Sequence, residues 1–421
     1  MDIQALLIRL LSTAAFYFVS DIFIHWAIKA VFTQNPKRAI RRYWILNISV
    51  FILASLGFML IQFMEPDIAR LNSYFFGIFV SILFSKLIIA IILLISEDVY
   101  RVPYSLYTIR SRKKKKNDNR VIITRRKFIS QTALLLGAIP LSGFLFGIFK
   151  GRYNFTVHNE TIFFDDLPQA FDGFTITQLS DLHIGSWDKI AMHKLEYLVE
   201  LVKSLNSDTL FFTGDIVNSH ADEMNGWFET FNSLSAPFGI FSILGNHDYG
   251  DYISWKTEEE RDQNLVNVKN IHPQLGFKLL LNENTFIEKD GEKIHIIGVE
   301  NWGMGDFPKI GDLNKASEGI DAGAFKILLS HDPSHWREKV LEHKYPPQLT
   351  LSGHTHGFQM GLETPAIRFS PSQWIYREWA GLYSQGKKHL YVNRGLGTVG
   401  YPGRIGIWPE ITKITLRRKS N

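Results

Sequence analysis

The sequence predicts an α/β domain that follows a set of membrane-spanning helices. Three observations carry this expectation. Four long apolar runs fill the first 150 residues. Short apolar strands alternate with helical patterns over the remainder, as in α/β proteins. Clusters of Asp, Asn and His directly follow several of those strands. The 421 residues accordingly divide into three transmembrane helices within 1–100, a basic linker at 101–127, a fourth transmembrane helix or anchor at 128–150, and one large globular domain at 151–421.

The membrane elements come first. Trp44–Met64 contains no charged side chain and Tyr74–Ser96 contains only Lys86, each close to the ~20 residues that cross a hydrocarbon core. The first run, roughly Ala5–Phe32, also carries Arg9, Asp21, His25 and Lys29. The last three recur every fourth residue and share one helical stripe. Polar groups inside a bilayer face other helices and pair, so the stripe is expected to hold helices together; the other reading is a coupling or transport role. The fourth run, Phe128–Phe149, follows Thr124-Arg125-Arg126-Lys127-Phe128-Ile129. That segment reads as a plain membrane anchor flanked by arginines, or as a twin-arginine export signal.

Charge sets the expected orientation. Lys37, Arg38, Arg41 and Arg42 mark the first loop as cytoplasmic, and Glu65, Asp67 and a single Arg70 mark the second as external. The linker is cytoplasmic again, so the domain after Gly151 is expected outside the cytoplasm of a multi-pass protein of the plasma (inner) membrane. Residues 110–127 hold ten Lys/Arg and one Asp, more than the whole net charge of +5. The basic excess therefore sits in one linker rather than on a folded face, and no nucleic-acid partner is expected. The chain has no cysteine, which excludes disulfides, thiolate metal sites and cysteine nucleophiles.

In the globular part, strands are expected at Phe174–Leu179, Thr209–Phe212, Ile240–Leu244, Ile294–Val299, Lys326–Leu329, Leu349–Leu351 and Ile411–Arg417, with a helix over Lys189–Leu205. Five of these strands run into polar motifs: Asp181-Leu182-His183, Gly214-Asp215, Gly245-Asn246-His247-Asp248, His331, and Gly353-His354-Thr355-His356. Residues at the carboxyl ends of strands converge on one crevice in α/β sheets. Alone, Gly-Asp or Asp-x-His is an ordinary turn. The ordered set supplies three carboxylates, one amide and five imidazoles, close to the ligands of two adjacent metal ions plus one spare histidine. His354 and His356 lie two apart and would point the same way on an extended segment. Oxygen and nitrogen donors without sulfur suit Mn, Fe(II) or Zn.

With these motifs, the segments Leu179 through Gly185, Gly353 through Gly357, Asn393 through Thr398 and Pro409-Glu410-Ile411, the region 170–417 resembles the calcineurin-like metallophosphoesterase superfamily, in its membrane-anchored bacterial branch. Phe358 departs from the pattern where relatives often carry a second glycine beside Gly357, and that bears on the shape of one rim loop. The resemblance implies a β-sandwich flanked by helices, a four-layer αββα fold. It implies Asp181, His183 and His356 as ligands of one divalent ion, Asn246, His331 and His354 as ligands of a second, and Asp215 as the bridge. His247 is then the catalytic group at the leaving oxygen, with Asp248 orienting it.

Such a pair of ions neutralises an anionic phosphoester and activates water, while a histidine protonates the leaving group. The expected activity is hydrolysis of a phosphodiester, phosphomonoester or pyrophosphate bond, without a covalent enzyme intermediate, on a lipid-linked or extracytoplasmic substrate at the bilayer. The alternatives are a UDP-diacylglucosamine-type pyrophosphohydrolase, whose nucleotide-linked substrate would conflict with the expected topology, and a non-catalytic membrane sensor that binds metal. Of the remaining histidines, His220 and His335 lie near motifs and within possible reach of the site. Arg368–Tyr383 holds Phe369, Trp374, Tyr376, Trp379 and Tyr383 with Arg368 and Arg377, either as a substrate rim or as loop packing. Trp302, after Glu300-Asn301, is open to the same two readings.

Overall fold

The computed structural model describes residues 13–60, 66–110, 119–364 and 366–419. The chain divides into two compact units, Met1–Ile148 and Phe149–Asn421.

The first unit is helical. Residues 13–19 are helical ahead of α1 (Asp21–Val31); α2 is Pro36–Leu60, α3 is Pro66–Arg110 and α4 is Asn119–Phe149. Four segments are long and apolar enough to cross a membrane: Thr13–Val31, Pro36–Gly57, Ser73–Ser96 and Arg126–Tyr153. Leu46, Leu56, Ile95 and Leu135 are exposed on them, as suits surfaces that meet lipid. Helix occupies much of the segment expected as a linker, since α3 continues to Arg110 and α4 begins at Asn119. Residues 111–118 of that linker, Arg9 and Glu65 lie outside the described residues.

The intramembrane stripe is only partly inward. Asp21 is buried and pairs with Lys86 of α3, Nζ to Oδ1 at 3.0 Å. Asn47 donates to its other oxygen, Oδ2, at 2.8 Å, and the Tyr43 hydroxyl donates to Oδ1. Lys86 also lies 3.4 Å from the centre of the Tyr17 ring. His25 Nδ1 meets the indole N–H of Trp44 at 3.4 Å, whereas Lys29 is exposed. The one charged residue of the third span thus answers the acid of the first. An unpaired charge there would cost several kcal/mol, about 3 on insertion scales.

The second unit is built on two six-stranded sheets. The first has the order β1-β14-β2-β3-β4-β5, from Thr156–Phe164, Glu410–Arg418, Thr175–Leu179, Thr209–Phe212, Ile240–Ser242 and Lys278–Leu279. The second has the order β12-β13-β9-β8-β7-β6, from Gly381–Gln385, Lys388–Val392, Leu349–Ser352, Lys326–Leu329, Glu292–Gly298 and Glu283–Lys289. Strands β2 to β5 run parallel, as do β7, β8, β9 and β13. A short hairpin, β10 (Leu362–Glu363) with β11 (Arg368–Phe369), stands apart.

Alternation along each strand makes the layers. Phe211, Phe241, Ile176, Ile327, Leu329, Leu349 and Leu351 share one core between the sheets. Leu210, Phe212 and Ile240 face the other way, onto α5 (Met192–Ser204) and α6 (Glu258–Gln274) through Leu195, Val199 and Val268. On the outer side of the second sheet, Ile297, Leu328 and Val392 pack on Trp336 and Val340. Central strands covered on both faces explain the near-continuous apolar runs in the sequence. The architecture is the four-layer αββα sandwich. Five parallel strands, three from one sheet and two from the other, end on the same side, and that side carries the polar motifs.

Candidate metal centre

The loops after β2, β3, β4, β8 and β9 bring together Asp181, His183, Asp215, Asn246, His247, Asp248, His331, His354 and His356. Glycines permit the approach. A Cβ on Gly245 would stand 2.2 Å from Asp215 Oδ1, and one on Gly353 would stand 2.2 Å from Asp181 Oδ2. The backbone is left-handed at Asp181, His183, Asp215, His354 and His356, with φ between 44° and 71°. Such conformations cost about 1 kcal/mol or more for residues with a Cβ. The sheet ends and the loop hydrogen bonds impose them: Asp181 N–H donates to Gly214 at 2.9 Å, His183 N–H to Asp215 at 3.1 Å, and Gly353 N–H to His331 at 2.9 Å.

Two clusters of ligand-type atoms result. In the first, His183 Nε2 lies 3.1 Å from His356 Nε2, His356 Nε2 lies 3.3 Å from Asp181 Oδ1, and His183 Nε2 lies 3.4 Å from Asp215 Oδ2. In the second, the same Asp215 oxygen lies 3.2 Å from His331 Nε2. Asn246 Oδ1 is 3.1 Å from His331 Nε2 and 2.7 Å from His354 Nδ1. The groups Asp181-His183-His356 and Asp181-Asp215-His331 each keep their ligand atoms within 4.8 Å of one another. His354 and His356 serve different clusters rather than pointing the same way, because both sit in left-handed turns instead of on an extended segment.

These residues fit divalent cations. Ligands about 2.1 Å from one ion, at octahedral or tetrahedral angles, lie about 3.0–3.4 Å from each other, which is the spacing of these atoms apart from the closer Asn246–His354 pair at 2.7 Å. Two imidazole nitrogens and two carboxylate oxygens converging at that range repel unless a cation or proton lies between them. Protonation states agree at every one of these groups except His331, which must give up a proton to a metal. Burial opposes ionisation of Asp181 and Asp215, but the neighbouring histidines hold both below the ordinary carboxylate range, His356 first for Asp181 and His331 first for Asp215. Burial lowers the proton affinity of His183, His354 and His356. For His331 burial is outweighed by Asp215, which raises it to about 10. Ionised carboxylates and neutral imidazoles are the metal-binding forms.

Surrounding groups fix the candidate ligands. His354 Nε2 meets the Tyr376 hydroxyl at 2.7 Å and lies 3.4 Å from Asp332 Oδ2. His331 Nδ1 donates to the Thr213 carbonyl at 2.7 Å. Arg404, fully buried, reaches His356 Nδ1 at 3.1 Å and donates to the Gly397 and Arg394 carbonyls. The tail motif thereby packs on the site, with Gly397 N–H donating to the Asp181 carbonyl at 2.7 Å.

His247 stands beside both clusters. Its ring lies 4.8 Å from that of His183, edge to face, and stacks on Tyr252 at 4.3 Å. Its Nδ1 is 2.8 Å from the Asn218 carbonyl oxygen, leaving Nε2 for other chemistry. The expected contact from Asp248 to His247 is corrected here. Asp248 is fully buried and accepts from the N–H groups of Gly245, Asp215, Ile216 and Val217, at 2.8 to 3.3 Å. It pins the loop that carries Asp215, and a backbone carbonyl orients His247. Burial, aided by Asp215, raises the Asp248 carboxyl to about 7.

The remaining candidates fall outside the clusters. His220 packs on Trp255. His335 is buried, with its Nδ1 2.8 Å from Ser330 Oγ and its ring against Trp302. The aromatic segment splits: Trp379 is buried beneath Arg368, and the Tyr383 hydroxyl accepts from Trp379 N–H at 3.2 Å, whereas Phe369 and Trp374 face out. Asn218, Tyr252, Asp332, Tyr376 and Arg404 escaped sequence reasoning as site residues. Only Tyr376 carried a signal, by its place among clustered aromatics.

Comparison with known proteins agrees with this geometry. Residues 6–152 match the family described as probable calcineurin-like phosphoesterase, transmembrane domain, and residues 174–358 match calcineurin-like phosphoesterase. The chain is 31% identical over 302 residues to the metallophosphoesterase YkuE of Bacillus subtilis, covering 70% of this chain and 98% of that one. It is 28% identical to the UDP-2,3-diacylglucosamine pyrophosphatase LpxG of Chlamydia muridarum, over 55% of this chain and 81% of that protein. It is also 28% identical to a transmembrane protein with metallophosphoesterase domain of Danio rerio, over 60% of this chain and 55% of that protein. The chain belongs to the calcineurin-like metallophosphoesterases, metal-dependent phosphoester hydrolases, and is a membrane-associated member with the family's transmembrane domain ahead of its catalytic one.

Proposed function

We propose that this protein is a dimetal phosphoesterase of the plasma membrane, acting outside the cytoplasm on a phospholipid or another lipid-linked phosphoester. One observation carries the two-ion reading: a single oxygen, Asp215 Oδ2, stands 3.4 Å from a histidine of one cluster and 3.2 Å from a histidine of the other. Asp181, His183 and His356 would hold one ion; Asn246, His331 and His354 would hold the second; Asp215 would bridge. Mn, Fe(II) and Zn all suit these donors.

When bound, the ions supply charge neutralisation of the phosphoryl group and an activated water as nucleophile. The chain's own residues do the rest. Asp181 and Asp215 fix the donors in place through the His354 and His247 N–H groups, at 3.0 and 2.8 Å. With Nδ1–H donated to Asn218, a protonated His247 presents Nε2–H and can deliver that proton to the departing oxygen. Tyr252 stacks on the ring and limits its rotation. Asn246 donates to the Tyr252 hydroxyl at 2.7 Å, which links the proton donor to a ligand.

Membrane spans favour a lipid-linked substrate, and the similarity to the UDP-2,3-diacylglucosamine pyrophosphatase of Chlamydia muridarum supports a pyrophosphate bond in such a lipid as the second reading. A nucleotide-linked substrate would require the domain to face the cytoplasm, against the charge of the loops, so the extracytoplasmic phosphoester ranks first. The test is hydrolysis of a chromogenic diester and monoester by the detergent-solubilised full chain with added Mn. Turnover lost in Asn246→Ala supports the reading. No turnover by the metal-loaded wild-type protein on either ester, nor on a phospholipid, would overturn it.

A further inference from the structure

We propose that the hairpin β10–β11 and the turn after it form a lipid-docking surface that seats in the interfacial layer of a bilayer. Leu362 and Phe369 are cross-strand partners and share one face of the hairpin. Ile367, just before β11, is also exposed. The Phe369 ring meets Trp374 edge to face, with centroids 5.8 Å apart, and Ile375 follows. Trp374 is 73% exposed and Ile375 61%, values that water alone does not favour for contiguous large apolar groups.

Phe358 adds an independent observation. Its φ is +59°, a left-handed backbone that suits glycine and strains a bulky aromatic residue. The side chain is nevertheless 52% exposed, so burial does not offset the strain. Its turn is tied to the hairpin, since Ser370 Oγ donates to the Gly357 carbonyl at 2.6 Å. A strained position that displays a half-exposed phenyl ring, on a turn tied to the hairpin, is accounted for if the ring has an apolar partner.

The chemistry of the patch selects the bilayer as that partner. Trp with a flanking cation is the composition of membrane–water boundaries, and Arg377 lies exposed three residues beyond Trp374. The chain brings its own membrane, because the apolar segment Arg126–Tyr153 leads directly into the catalytic unit. The inference concerns this surface and stands whether or not the substrate is a lipid.

The absence of cysteine from the chain gives a clean test. Full-length Trp374→Cys and Ile367→Cys carry a nitroxide in nanodiscs of phosphatidylethanolamine and phosphatidylglycerol. Val266→Cys, on the charged helix α6, is the aqueous reference. Power saturation then compares collisions with oxygen, which concentrates in lipid, against those with a water-soluble nickel chelate. Docking requires an oxygen-to-nickel accessibility ratio several-fold above the reference at both sites. Ratios equal to the reference overturn the proposal. Shielding from both reagents also overturns it, in favour of a second copy or another protein as the cover. Hydrolysis of a soluble ester by the same labelled proteins reports a folded metal centre independently of either result.

Discussion

The hydroxyl of Tyr376 lies 2.7 Å from Nε2 of His354, whose Nδ1 faces Asn246. Groups that hold the far side of a ligating imidazole typically contribute 10–100-fold in metal affinity. Tyr376→Phe should therefore weaken binding at the Asn246-His331-His354 cluster roughly tenfold, with activity restored by excess Mn. Mn titrations by calorimetry check this, and an unchanged affinity would remove Tyr376 from the site.

His247 makes its contacts beside the clusters through Nδ1 and its ring face, so His247→Gln should leave metal content intact. The loss in kcat should be about 10²–10⁴-fold for esters with poor leaving groups, and much smaller for nitrophenyl esters, whose leaving oxygen needs no proton. Equal losses across leaving groups would show that His247 does not act as the proton donor. Asp248→Asn behaves differently. Its carboxyl oxygens accept from four N–H groups, so replacing one of them with a donating NH2 should loosen the Asp215 loop and lower metal content.

Metal binding must compete with a proton on His331, which Asp215 raises to about 10 against the effect of burial. The sign follows. In the metal-free protein the raised value stabilises the fold fully below the unfolded pKa of about 6.5, and this is lost as pH rises through about 10. The metal gains as the proton leaves, so affinity should rise by up to about tenfold per pH unit between those limits. Calorimetry in buffers of different ionisation heat should register about one proton released per protein on metal binding near neutral pH. No release would place the proton elsewhere.

Glu410 is fully buried, and its carboxylate meets Arg394, Tyr391 and Thr412. Burial would raise it, but Arg394 leads a set of contacts that bring it down to about 2. Its contribution, on the order of 3 kcal/mol, is present above the unfolded pKa near 4.5 and lost as pH falls towards 2. Glu410→Gln should lower the thermal unfolding midpoint at pH 7, and its deficit relative to wild type should narrow at acidic pH. Equal midpoints at pH 7 would contradict this.

Much of the site was readable because its ligands follow strands buried on both faces, where an apolar run gives way abruptly to Asp, Asn or His. All seven expected ligands and His247 lie in one place. The mis-assigned role, that of Asp248, turned on hydrogen bonds to backbone N–H groups, which no residue type announces. The same holds for Asn218, which acts through its carbonyl. Arg404 and Tyr376 come from loops with no regular pattern. In the fold, the insertion of β14 between β1 and β2 joins strands more than 200 residues apart, and nothing in their local composition encodes that pairing. Phe358 was visible as a departure from a glycine; its left-handed φ supplies the physical meaning.

The membrane orientation is checked independently. A C-terminal reporter that is active only in the cytoplasm should be silent, and one active only outside should signal. The reverse pattern would place the catalytic unit in the cytoplasm and promote the pyrophosphohydrolase reading.

The left-handed backbone at five residues of the candidate centre bears on how such a centre can be borrowed. Short peptides copied from these loops would relax to right-handed or extended forms and scatter their donors. A designer moving this chemistry to another scaffold must transplant the opposed strand ends that force the turns, not the motifs alone. By the same reasoning, a chain that retains every motif but shifts one sheet against the other would keep the letters of the site and lose its function.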